Sequence, residues 1–144
     1  MESLDQRRVI LFAEDTPSDT ILLREFLKYS NLPYRLYIVH DGEAVLAFLH
    51  QQGFYAGIPR PHLIILDMGL LKRDDWKILT AIKATPFLTT IPLVTLTNVM
   101  SATNEEQRTA LHPILCFLKP RNLKGYRSLV ETLGKLIRQH TSRA

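Results

Sequence analysis

The sequence predicts an α/β fold in which five strand-helix repeats, (βα)5, build a doubly wound, five-stranded parallel sheet. Three observations carry that prediction. Short, uninterrupted apolar runs alternate with amphipathic stretches along the chain, and such runs are what strands buried on both faces require. The amphipathic stretches repeat their apolar residues at steps of three and four, the helical period. Most of the apolar runs stop at a residue capable of ionic or hydrogen-bonding chemistry, and an open parallel sheet gathers its functional side chains at those strand ends.

Taken in order, the first run covers residues 9–13 and stops at Glu14 and Asp15. Thr16-Pro17-Ser18-Asp19 follows as helix-start chemistry, and Leu22, Leu23, Phe26 and Leu27 recur at helical spacing. Tyr34–Val39 alternates and reads as an edge strand; Asp41-Gly42 breaks it, and Val45, Phe48 and Leu49 mark a second helix. Residues 52–61, rich in Gly and Pro, read as a loop. Residues 63–66 are wholly apolar and stop at Asp67. Met68-Gly69-Leu70-Leu71 separates that stop from a third helix, which starts at Asp74 or Asp75 and carries Ile78, Leu79 and Ile82. Residues 93–96 end at Thr97, residues 101–111 read as a weak, mostly polar helix, and Ile114–Leu118 ends at Lys119-Pro120. Tyr126, Leu129, Val130, Leu133 and Ile137 then share one helical face and define an amphipathic last helix. Right-handed crossovers between parallel strands leave the doubly wound arrangement.

The bulk numbers agree. A chain of 144 residues reads as one domain over 1–144, with its core over about 7–140. An apolar fraction of 46% and a charged fraction of 22% are globular rather than disordered. The net charge is +4, but the basic residues are scattered and are not interleaved with aromatics, so no nucleic-acid partner is expected. Cys116 is the single cysteine; it allows no internal disulfide and fits a reducing compartment. The start, MESLDQRR, is unlike a signal peptide, and no run approaches the ~20 apolar residues of a membrane helix. A cytoplasmic location without a membrane partner is the expectation.

If the strands are parallel, Glu14, Asp15, Asp67, Thr97 and Lys119 converge on one sheet edge. Carboxylates brought that close repel one another unless something neutralises them. An all-oxygen acidic cluster suits a hard cation such as Mg²⁺. Lys119 adds a second positive charge and Thr97 a hydroxyl donor, and together they suit phosphoryl transfer to a carboxylate. Each residue also has a plainer role. Asp67 could cap a helix, Glu14 and Asp15 could favour the helix N-terminus that follows, Thr97 is common in strands, and Lys119 could be solvated. The joint pattern favours the chemistry.

Glu14-Asp15, Asp67, Thr97 and Lys119-Pro120, in that order on a five-fold βα pattern, resemble the receiver domain of two-component response regulators, whose topology is flavodoxin-like. The resemblance covers about residues 7–140. The stretches AEDTPSDTILLREFL, HDGEAVLAFL, PRPHLIILDMGLL, IKATPFLTTIPLVTLT and CFLKPRNLKGY look closer still to small stand-alone receivers that partner bacterial phytochrome-type histidine kinases. The resemblance implies that Asp67 is the phosphoacceptor and that Glu14, Asp15, Asp67 and the backbone carbonyl of Gly69 hold Mg²⁺. It further implies that Thr97 and Lys119 engage the phosphoryl group, that a histidine kinase donates it, and that the protein is no enzyme beyond its own phosphorylation and dephosphorylation.

The sequence departs from the family pattern at Leu71, Asp75 and Asn98, where Pro, Gly and a small residue are usual, and His112-Pro113 replaces a small turn. Asn98 is expected to alter the phosphorylation lifetime. Cys116 stands where the family places an aromatic switch, with Phe117 beside it and therefore on the opposite face. One helix completes the sequence after Lys119, so output is expected through protein contacts. These include a homodimer on the face of helix four, strand five and helix five, with Leu123, Tyr126 and Leu133 as its apolar stripe. Two other functions suit the same architecture. One is a phosphorylation-independent pseudo-receiver acting as a constitutive binding module. The other is a flavin or nucleotide binder, which the two acids opening the first loop disfavour.

Overall fold

Strands form where the chain runs apolar without interruption, and each helix forms where that apolarity turns periodic. The computed structural model describes residues 7–14, 16–28, 30, 33–71, 75–97 and 114–142. Along them run β1 (Arg8–Ala13), α1 (Pro17–Lys28), β2 (Tyr34–Val39), α2 (Gly42–Leu49), β3 (Leu63–Asp67), α3 (Met68–Leu71), α4 (Asp75–Ala84), β4 (Leu93–Thr97), β5 (Ile114–Leu118) and α5 (Leu123–Ser142). The five strands form one sheet in the order β2-β1-β3-β4-β5. Every pairing is parallel, and β2 is an edge, as its alternating sequence indicates.

Alternation along the strands divides the core into two layers. Val9, Leu11 and Ala13 of β1 with Ile64 and Leu66 of β3 face α2 and α4, where Val45, Phe48, Leu49, Ile78, Leu79 and Ile82 are buried. Ile10 and Phe12 with Leu63 and Ile65 face α1 and α5. All five periodic positions of α5, from Tyr126 to Ile137, are buried in this second layer. Burying a side chain of this size stabilises the fold by about 1.5–3 kcal/mol, so the two layers supply most of the driving force. Capping fixes where helices begin. The Asp41 side chain accepts from the Ala44 N–H at 2.7 Å, and Asn122 Oδ1 accepts from Gly125 N–H at 2.8 Å.

Two expectations change. Met68-Gly69-Leu70-Leu71 is not a mere spacer: it is a helical turn of its own, α3. The stripe assigned to a dimer face is largely core, since Tyr126 and Leu133 are buried and only Leu123, in the first turn of α5, is exposed. The reason is periodicity: the face that repeats apolar residues is the one α5 lays on the sheet, and a buried stripe is not left over for a partner. Cys116 and Phe117 do lie in opposite layers, each half-buried. The fourth predicted helix, Asn98 and His112-Pro113 lie outside the described residues. Among the described residues no helix is long and apolar enough to cross a membrane.

Register brings the carboxyl ends level. Ala13 pairs with Leu66, Asp67 with Leu96 and Thr97 with Leu118. Residues 14, 67, 97 and 119 therefore share one rim of the sheet.

Candidate functional site

Lys119 begins where β5 ends. Its backbone N–H donates to the Thr97 carbonyl at 2.8 Å, extending the ladder one step and fixing where the side chain departs. The ammonium then meets Asp67 Oδ2 at 2.5 Å, Glu14 Oε2 at 2.9 Å and Asp19 Oδ2 at 3.0 Å. An ammonium has three N–H donors, so these three carboxylates match its capacity.

Asp67 is 3% exposed. Its Oδ1 accepts the backbone N–H groups of Gly69 at 2.8 Å and Leu70 at 3.3 Å, so it caps α3. The plainer role and the chemical one thus coexist, one on each carboxylate oxygen. Glu14 is 1% exposed. Its N–H donates to the Val39 carbonyl at 3.0 Å, its Oε1 accepts the Thr16 N–H at 3.2 Å, and its carbonyl lies 3.0 Å from His40 Nδ1. Thr97 is buried at the end of β4, one step beyond the partner of Asp67. Asp15 lies outside the described residues. Gly69 meets Asp67 through its N–H.

The electrostatics separate the two buried acids. Burial, the hydrogen bond with Asp67 and the charge of Asp67 push Glu14 up to about 7, against the pull of Lys119. For Asp67, burial also acts upward, but hydrogen bonds with Glu14 and Lys119 and the lysine's charge overcome it and hold the carboxyl below its ordinary value. The two acids are therefore pushed in opposite directions, Glu14 upward and Asp67 downward. Burial disfavours the Lys119 ammonium, yet its hydrogen bonds with Asp67, Glu14 and Asp19 outweigh this and raise it well above the ordinary range.

Sequence reasoning missed two members of this rim. Asp19, in the first turn of α1, takes the third lysine donor. Tyr126, in the first turn of α5, donates its hydroxyl to Asp19 Oδ1 at 2.6 Å. Burial and that bond to Asp19 keep the phenol protonated well above its usual range. A tyrosine among Leu129, Val130, Leu133 and Ile137 is the available signal, because a buried phenol usually finds an acceptor.

Among the described residues, three acids share one lysine on this rim. Among the described residues no group of three His, Cys, Asp or Glu is placed to hold a metal. Glu14 and Asp67 nevertheless offer two buried carboxylates on the same ammonium, an all-oxygen set that fits a hard divalent cation taking one or two protein carboxylates.

No family model matches the chain. It is 42% identical over 125 residues to response regulator Rcp1 of Synechocystis sp. (strain ATCC 27184 / PCC 6803 / Kazusa), spanning 86% of this chain and 84% of that protein. Among solved structures it resembles the phosphorylated cyanobacterial phytochrome response regulator RcpA with a TM-score of 0.79 and 32% identity, over 90% of this chain and 92% of the other. It also resembles the Mn²⁺-bound form of Rcp1, with a TM-score of 0.76 and 41% identity over 88% and 91%.

Proposed function

The chain belongs to the response-regulator receiver family, and from that premise we propose that Asp67 accepts a phosphoryl group from the phosphohistidine of a histidine kinase. The observation that carries the assignment is a buried Asp67 whose Oδ2 sits on the Lys119 ammonium, a contact that favours the ionised carboxylate. Only an ionised carboxylate is a competent nucleophile. An Asp67 oxygen forms the new bond to phosphorus, the phosphorus–nitrogen bond of the donor breaks, and its electron pair returns to the imidazole.

Lys119 pairs with the incoming phosphoryl oxygens as a point charge. Thr97, at the adjacent strand end, offers a hydroxyl to the same group. Glu14, Asp67, the Gly69 carbonyl and Asp15 would hold a divalent cation, Mg²⁺ in the cell. When bound, that cation supplies the positive charge that the rim lacks. The reaction stays on the protein itself, and no separate substrate is turned over.

The partner follows from likeness to the cyanobacterial phytochrome response regulator: a phytochrome-type histidine kinase, met in the cytoplasm. Output runs through protein contacts, including a homodimer on the side formed by β5 and α5. In support, Leu115, Leu118 and Leu123 are large apolar side chains left exposed on β5 and the start of α5.

Intact-mass spectrometry after incubation with acetyl phosphate and Mg²⁺ tests the assignment. One phosphoryl adduct is expected on the wild type, none on Asp67→Asn and none with EDTA. An unmodified wild type that is well folded would overturn it and leave a phosphorylation-independent binding module.

A further inference from the structure

Lys119 has three donors and three carboxylate partners, but those partners are not equivalent. Asp67 and Glu14 close β3 and β1 and belong to the set that takes phosphoryl group and cation. Asp19 belongs to α1, and its other oxygen is held by Tyr126 of α5, 107 positions away. A phosphoryl group on Asp67 replaces that residue's claim on the lysine, and a cation on Glu14 replaces the second. Nothing in the reaction replaces the claim of Asp19.

We propose that Asp19, aimed by the Tyr126 hydroxyl, is a positioning residue that competes with the phosphoryl group for Lys119 and so sets how tightly the site holds that group. The proposal rests on the assignment of Asp67 as acceptor. Its physical content is charge and aim. The Asp19 carboxylate sits 3.0 Å from Nζ, and its side chain is 18% exposed, so its attraction for the ammonium and its repulsion of an anion are only partly screened. The 2.6 Å bond from Tyr126 ties one oxygen away from the lysine. It also drains charge from the carboxylate, since a hydrogen bond to an ionised acceptor is stronger than a neutral one. Tyr126 therefore moderates Asp19, and Asp19 moderates Lys119.

The two conservative variants should then act in opposite directions. Asp19→Asn keeps an acceptor for Tyr126 but removes the competing charge, which frees the ammonium for the anion. Tyr126→Phe leaves that charge in place and releases both carboxylate oxygens to the lysine. A role confined to packing would weaken the site in both.

The test is the affinity for beryllofluoride, a phosphoryl analogue, at saturating Mg²⁺, measured by isothermal titration on the full chain. Asp19→Asn should bind roughly fivefold tighter, and Tyr126→Phe about threefold weaker, the scale of one partly screened ion pair. In the Asp19→Asn background, Tyr126→Phe should change nothing, because the tyrosine acts only through the carboxylate. Should Tyr126→Phe not fold, Asp19→Ser must still bind tighter than wild type. Weaker or unchanged binding by the Asp19 variants, on a wild type that does take a phosphoryl group, overturns this proposal alone. A wild type that takes neither phosphoryl group nor analogue, like Asp67→Asn, overturns the acceptor assignment, and this proposal with it.

Discussion

Ile64 and Asp67 lie on the same strand and are almost equally hidden from water, at 0% and 3% exposure. Three positions apart, burial has opposite consequences. At Ile64, in the body of the sheet, removal from water is the source of stability. At Asp67, on the rim, it is a cost that Glu14, Lys119 and two backbone N–H groups offset. The molecule is thus an apolar slab with a thin charged margin. The slab holds the fold, while the margin is overloaded with acid in a way that chemistry can use but stability alone would not select.

The largest expected effect tests the slab. Ile65→Ala, between the helices of the second layer, should cost about 3 kcal/mol in urea unfolding, the usual loss for a buried aliphatic chain. A loss below about 1 kcal/mol would mean that the interior is not the main support. Next comes the lysine of the margin. Lys119→Met leaves Glu14, Asp19 and Asp67 without their common partner and should cost about 2 kcal/mol in metal-free protein. Added Mg²⁺ should restore much of that, because a ligand bound only by the native state raises its stability. An equal loss with and without Mg²⁺ would show that the lysine is structural only.

The smallest effect is a slope with pH. Folded Glu14 titrates near 7, above its ordinary 4.5, so between these values the native state holds a proton that the unfolded chain releases. Metal-free stability should therefore fall as pH rises from 4.5 to 7 and then level off. Asp67 works oppositely: its contribution is present above 3.8 and lost as pH falls below that. Glu14→Gln should flatten the decline between pH 4.5 and 7, and thermal melts across that range in EDTA would show whether it does.

The slab was legible in the sequence because parallel strands buried on both faces must be apolar throughout, and their ends are then marked by the first charged or hydroxyl residue. Glu14, Asp67, Thr97 and Lys119 were found in that way, and the structure brings them to one rim. Asp19 was not, because an acid in the first turn of a helix already has a sufficient explanation in the helix itself. Tyr126 was read as one more member of an apolar stripe, and then as surface. A helical period reports that a face is buried, not whether a hydroxyl on it has found an acceptor on another helix. The turn at α3 escaped for a related reason. Its N-terminal cap is the side chain of Asp67, a residue already accounted for as the end of a strand.

That cap has a further consequence. One oxygen of Asp67 is pinned by Gly69 and Leu70, while its twin faces the lysine. Swinging the carboxylate about would break both tethers. The two oxygens are therefore distinguished by the backbone before any reagent arrives. On the proposed assignment, the lysine-facing oxygen would take the new bond to phosphorus, and the pinned one would remain as a carbonyl able to hold the turn. Under that assignment the carboxylate would be modified on a fixed mount, tethered to the backbone of α3.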